Sequence, residues 1–72
     1  METIAITTPF IKLDALLKFA ALAGTGGEAK LAIQDGLVQV NGEVCTQRGR
    51  KIYPGDEVTL GGETVRVAAQ TE

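Results

Sequence analysis

Arg48, Arg50 and Lys51 stand within four residues, in the stretch QRGRK (47–51), and supply three of the seven basic side chains of a chain whose net charge is -2. Guanidinium groups are planar forks that suit two-point contacts to phosphate, and Gly49 between the arginines lets the backbone splay them. Three like charges this close repel by only about 1 kcal/mol per pair in water, so a solvated loop would tolerate them without a function. Their chemistry is phosphate or nucleic-acid binding, or docking on an acidic partner.

A second candidate is GTGGEAK (24–30), where glycines bare the backbone amides that open a helix and Lys30 follows. It is not a Walker loop, which ends in Gly-Lys-Ser/Thr where this chain has Ala29-Lys30-Leu31, and which follows a strand. The looser dinucleotide fingerprint Gly24-x-Gly26-x-x-Ala29 needs a larger parallel sheet than 72 residues can house. What is left is an anion-accepting helix entry or a plain tight turn.

Catalysis finds no constellation. There is no histidine, and Cys45 is a lone cysteine that reads as a half-buried structural thiol. Asp56 and Glu57 are neighbours that a strand would point to opposite faces. No catalytic residue, metal site or cofactor is expected, and the protein is read as a non-enzyme. Disulfide and zinc scaffolds are excluded. The start METIAITTPFIKL resembles neither a signal peptide nor an anchor, so the expected setting is the cytoplasm, without membrane contact.

The elements that must position these residues follow from the apolar pattern. ETIAIT alternates, with Ile4 and Ile6 on one face of a first strand that Pro9 ends. Leu13, Leu16, Leu17, Ala20 and Ala23 or Gly24 keep helical spacing, with Asp14 and Lys18 as an i, i+4 pair and Gly24 as the stop. Thr25 through Glu28 reads as a capping box, Glu28 reaching back to the cap residue, and opens a second helix. Ala29, Ala32, Ile33 and Leu37 form that helix's buried edge, Lys30 and Gln34 lie on another face, and Gly36 ends it. Val38, Val40 and Val44 around Asn41-Gly42 predict a hairpin, and residues 46 to 51 an exposed loop. Ile52 and Tyr53 are placed in the core, Pro54-Gly55 in a turn, and residues 58 to 67 in a second hairpin about Gly61-Gly62. The expected fold is α+β, one domain spanning 1–72.

Taken together, residues 11 to 62 resemble the S4-like RNA-binding domain, and most closely its small stand-alone bacterial members. The resemblance rests on KLDALL at the first helix, GGEAK at the second, G-x-V-x-VNGE in the hairpin, then RGRK and PGDEV, five fragments in order. It implies an alpha-L motif, two short helices packed on a small mainly antiparallel sheet, with one basic face turned to structured RNA. By position, Lys12 matches the basic residue before Leu-Asp, and Thr25, Gly26 and Gly27 match the helix entry that contacts backbone phosphate. Lys30 matches the basic residue of that helix, and Gln47, Arg48, Arg50 and Lys51 match the basic loop. Asn41 and Gly42 match a structural turn.

The implied partner is ribosomal or transfer RNA, within a ribosomal particle or outside it, bound by a monomer. Sequence pI near 5.0 departs from the strongly basic members, and Gly26 and Gly27 stand where Arg and Ser are common. Three to five phosphate contacts would give a salt slope of about -2 to -4, a modest affinity. With Phe10, Phe19 and Tyr53 as the only aromatics, no stacking platform is expected, which favours recognition by shape. A protein-interaction adaptor is the alternative. A ubiquitin-like sulfur carrier is disfavoured because Gly61-Gly62 lies inside a hairpin.

Overall fold

The computed structural model describes residues 1–70. Its strands are β1 (Glu2–Ile6), β2 (Ile11–Lys12), β3 (Val38–Val40), β4 (Glu43–Val44), β5 (Lys51–Ile52), β6 (Glu57–Leu60) and β7 (Glu63–Ala69). Two helices, α1 (Leu13–Phe19) and α2 (Gly26–Gln34), lie between β2 and β3. The larger sheet has the order β1-β7-β6-β3-β4, antiparallel except for β1, which runs parallel to β7. A separate two-stranded ladder joins β2 to β5.

Alternation along the strands sends one set of side chains inward: Ile4, Ile6, Val38, Val40, Val58, Val65 and Val67 are all buried. Leu13, Leu16, Leu17, Ala20 and Ala23 meet them with Ala29 and Ile33 of α2, in a core that holds no buried polar or charged side chain among the described residues. Thr59 and Thr64 share a hydrogen bond of 2.8 Å across β6 and β7.

Turn chemistry fixes the register of the hairpins. Asn41 and Gly42 have φ of 52° and 84°, the left-handed pair that a two-residue hairpin turn demands. The Asn41 side chain also links two turns, for its Oδ1 accepts from Glu57 N–H (2.9 Å) and its Nδ2 donates to Asp56 Oδ1 (3.1 Å). Asp56 Oδ2 in turn accepts from Tyr53 N–H (2.9 Å). The NG turn and the PGD turn are thereby tied together, which gives Asn41 the structural role expected of it.

Helix α1 stops earlier than its apolar spacing predicts. It ends at Phe19, and Ala21, not Gly24, takes the left-handed position with φ 59°. Leu22 N–H donates to Leu17 O and Ala21 N–H to Lys18 O, the bond pair of a Schellman stop. Ala23 still reaches the core because the chain wraps back over the helix end. Helix α2 ends in the same motif with the expected Gly36 (φ 74°), Gly36 N–H donating to Ile33 O and Leu37 N–H to Ala32 O. An alanine at the left-handed position costs about 1–2 kcal/mol. Ala21→Gly is therefore expected to stabilise the chain by roughly 0.5–1 kcal/mol after the entropy of a freer unfolded chain, read as a higher urea midpoint at unchanged m.

Other expectations are corrected. Leu37 is exposed rather than part of the buried edge of α2, and Ala32 is half-buried. Val44 also lies outside, since the hairpin register points Cys45 inward, where it is buried as a free thiol. Tyr53 is 49% exposed: Ile52 takes the core position, and the next residue of the strand must face the other way. Lys51 belongs to β5 rather than to the loop.

Candidate nucleic-acid interface

Residues 47 to 50 form a tight turn closed by Arg50 N–H donating to Gln47 O (3.2 Å). The turn's carbonyls then cap α1. Leu13 N–H donates to Arg50 O (2.9 Å) and Asp14 N–H to Arg48 O (3.3 Å), so two amides that α1 cannot satisfy internally are met by the basic loop. With its backbone spent on the helix, the loop leaves the side chains of Gln47, Arg48 and Arg50 exposed. Gln47 contributes through its main chain, its carbonyl also standing 3.8 Å from Cys45 Sγ.

The β2–β5 ladder places Lys12 directly opposite Lys51. Lys12, Arg48, Arg50 and Lys51 thus gather at the start of α1. Among the described residues one carboxylate enters this group: Asp14 Oδ2 lies 3.9 Å from Arg48 Nε, while Asp14 Oδ1 accepts from Ala15 N–H. The expected Asp14–Lys18 pair gives way to this contact.

At the other end, Thr25 Oγ1 accepts from Glu28 N–H (3.1 Å), as the capping box predicts. Glu28 reaches back one residue further than expected, its Oε2 accepting from Gly24 N–H (2.8 Å). Ala29 N–H donates to Thr25 O. The amides of Gly26 and Gly27, the first two of α2, have no such partner among the described residues. Lys30 follows one turn beyond Gly26 on an exposed part of the helix.

The two ends communicate through an open groove of 540 Å³ lined by Asp14, Ala15, Lys18, Phe19 and Gly26. Asp14 marks the loop end and Gly26 the α2 end. Lys18 bridges them: a methyl group at Gly26 would lie 3.8 Å from Lys18 Cδ. Lys18 is a basic residue that sequence reasoning assigned only to a helix surface pair. Its signal was the helical spacing itself, which puts Asp14, Ala15 and Lys18 side by side on α1.

Charge is segregated. Lys12, Lys18, Lys30, Arg48, Arg50 and Lys51 belong to the helices, the loop and the small ladder. On the large sheet Arg66 is the sole basic residue, and its register neighbour is Glu57. Glu2, Glu43, Glu57 and Glu63 are on that sheet's strands. Most of the acidic surface therefore lies away from the groove, whose one lining carboxylate, Asp14, is paired with Arg48, while Glu28 at the α2 entry is bonded to Gly24 N–H.

An S4 domain family model matches residues 4–68. The chain belongs to the S4 domain family. Among S4 domain relatives, YbcJ of Escherichia coli (strain K12) is 39% identical over 61 residues, 85% of this chain and 87% of its own length. A Bacillus subtilis (strain 168) protein named "Probable ribosome maturation protein RlbA" is 42% identical over 59 residues, 82% of this chain and 83% of its own length. The small ribosomal subunit protein uS4 of Sphingopyxis alaskensis is 36% identical over 61 residues, 85% of this chain but 30% of uS4. The solution structure of E. coli YbcJ, described as revealing an alpha-L motif involved in RNA binding, superposes with a TM-score of 0.74 at 37% identity, covering 96% of this chain and 89% of that one. The S4 domain here has the same α+β architecture, two helices on a mainly antiparallel sheet, with the alpha-L motif.

The geometry permits a test of the α2 entry. Neither Gly26 nor Gly27 has a positive φ, and an added methyl meets nothing nearer than 3.8 Å at either. Gly26→Ala with Gly27→Ala is expected to raise stability by roughly 0.4–1 kcal/mol per site, read by thermal unfolding. If phosphate approaches these amides, the same double variant binds RNA several-fold more weakly. Unchanged affinity in the stabilised variant removes the amides from the interface.

Proposed function

We propose that this protein binds structured RNA, ribosomal or transfer RNA, through phosphate contacts and without a catalytic step. The contacts are assigned to Lys12, Thr25, Gly26, Gly27, Lys30, Gln47, Arg48, Arg50 and Lys51, and Lys18 is added to them. One observation carries the reading: the basic loop is fastened by its backbone to the start of α1, and the groove along α1 leads from it to the open amides of α2. The loop guanidinium groups at one end, the Lys18 ammonium in the groove and the bare amides at the other then offer donors suited to a phosphodiester backbone, with Asp14, paired to Arg48, between them.

Contacts of this kind position a protein on RNA and carry little sequence information, so the target is recognised by fold and by the spacing of its phosphates. The names of the RlbA and uS4 relatives support a ribosomal RNA target, and a role in the maturing or finished particle. The protein acts as one domain and as a monomer in the cytoplasm. Among the described residues no helix is long and apolar enough to cross a membrane.

A mobility-shift assay with total cellular RNA at low salt tests the proposal. A shift that fades steeply as salt rises supports it. The absence of any shift at low salt, together with capture of a stable protein partner, sinks it in favour of an adaptor that docks on an acidic protein.

A further inference from the structure

The sequence offers no aromatic platform, yet the fold assembles a small one beside the basic edge. Phe10 precedes β2 and Tyr53 follows β5, so the antiparallel ladder that pairs Ile11 with Ile52 also brings these rings together, with centroids 5.9 Å apart and planes inclined at 50°. Phe10 is half-buried, whereas Tyr53 is about half exposed. Lys51 Nζ lies 4.9 Å from the Phe10 centroid, and Lys12 stands opposite Lys51 in the ladder.

We propose that Tyr53, backed by Phe10, is a stacking site for one unpaired nucleotide of the bound RNA, with the nucleotide's phosphate held by Lys51 and Lys12. This rests on the RNA-binding reading above and sharpens it: the target is a folded RNA with a bulged or terminal unpaired base, not an uninterrupted duplex. A nucleotide needs a π-face and a cation within one residue's reach, and this corner of the surface supplies both. The charge beside the ring selects the occupant, since Lys51 and Lys12 favour a phosphate-bearing partner over a neutral apolar one.

The mounting of the ring fits the role. Tyr53 N–H is held by Asp56 Oδ2 (2.9 Å), Asp56 N–H donates to Tyr53 O (3.0 Å), and Asp56 is fixed by Asn41. Core packing does not require the ring there, because Ile52 fills the buried position of β5. On that fixed backbone the ring is packed against Phe10, and a ring already in place loses less freedom when a base stacks on it.

The full chain is titrated with two RNA hairpins identical except for a single bulged 2-aminopurine, which reports stacking by loss of fluorescence. The protein is expected to bind the bulged hairpin at least about fivefold more tightly than the paired one, with quenching of the probe. Tyr53→Leu, which keeps an apolar cover over Phe10, abolishes both the preference and the quenching and leaves affinity for the paired hairpin unchanged. Tyr53→Phe retains all three properties. Equal affinity for the two hairpins, or a preference that survives Tyr53→Leu, overturns the stacking site while binding of the paired hairpin leaves the phosphate-contact function standing. Failure to bind either hairpin at low salt overturns that function and the stacking site with it.

Discussion

Arg48→Ala combined with Arg50→Ala is expected to weaken binding to a folded RNA roughly 15- to 30-fold at physiological salt, and to flatten the salt slope by about 1.4–1.8. Each guanidinium lost removes one neutralised phosphate, worth about 0.7–0.9 of slope, and the two sites contribute together because they share one turn. The loss falls on all RNA sequences alike, since phosphate contacts do not read bases.

Folding should scarcely change. The loop is held by three main-chain bonds, Leu13 N–H to Arg50 O, Asp14 N–H to Arg48 O and Arg50 N–H to Gln47 O, and alanine preserves each of them. Among side chains, the substitutions break the Arg48–Asp14 ion pair, at 3.9 Å with exposures of 55% and 33%. A pair so exposed contributes at most about 1 kcal/mol. A double variant with parental affinity and slope would mean that the loop is solvated decoration.

Leu16→Ala has the largest expected effect on stability. Leu16 is wholly buried between the sheet and α2, and truncation leaves a cavity that costs about 3 kcal/mol, within a usual range of roughly 2–5. For a domain of this size that corresponds to a fall of roughly 12–24 °C in Tm. The loss is a large share of the total, because a chain of 72 residues buries proportionately less surface than a longer one. RNA binding is lost with the fold, for α1 carries Lys18 and the amides that fasten the loop. Circular dichroism melts and urea titrations measure the change. A cost below about 1 kcal/mol would contradict the packing of α1 between sheet and second helix.

Much of the core was legible because spacing survives small errors in element length. Leu13, Leu16, Leu17, Ala20 and Ala23 are all buried as their period predicts, although α1 ends at Phe19. Ala21 hid that end, since alanine in the left-handed region carries no sequence signal and Gly24 offers a false one. The Asn41-Gly42 and Gly61-Gly62 hairpins were readable from turn residues alone. The β2–β5 ladder was not, because two-residue strands have no period to detect, and the parallel β1–β7 pairing joins distant parts of the chain.

The basic loop and the Thr25–Gly27 entry could be identified from residue types, but not their connection. That depended on Lys18 and Gly26 lining one groove from different helices. The exposed Tyr53 was missed by extending the core one residue past Ile52, although strict alternation would have turned it outward.

RNA is expected to meet one side of this protein, along the path from the basic loop through Lys18 to the start of α2. Titration of the isotope-labelled chain with a folded RNA hairpin, followed by amide chemical shifts, tests it directly. Shifts are expected to concentrate at Lys12, Lys18, Thr25 to Gly27, Lys30 and Gln47 to Lys51, with Glu43, Glu57 and Glu63 unmoved. Shifts centred on the acidic strands β4, β6 and β7, with the loop and the α2 entry silent, would place the RNA on the opposite face.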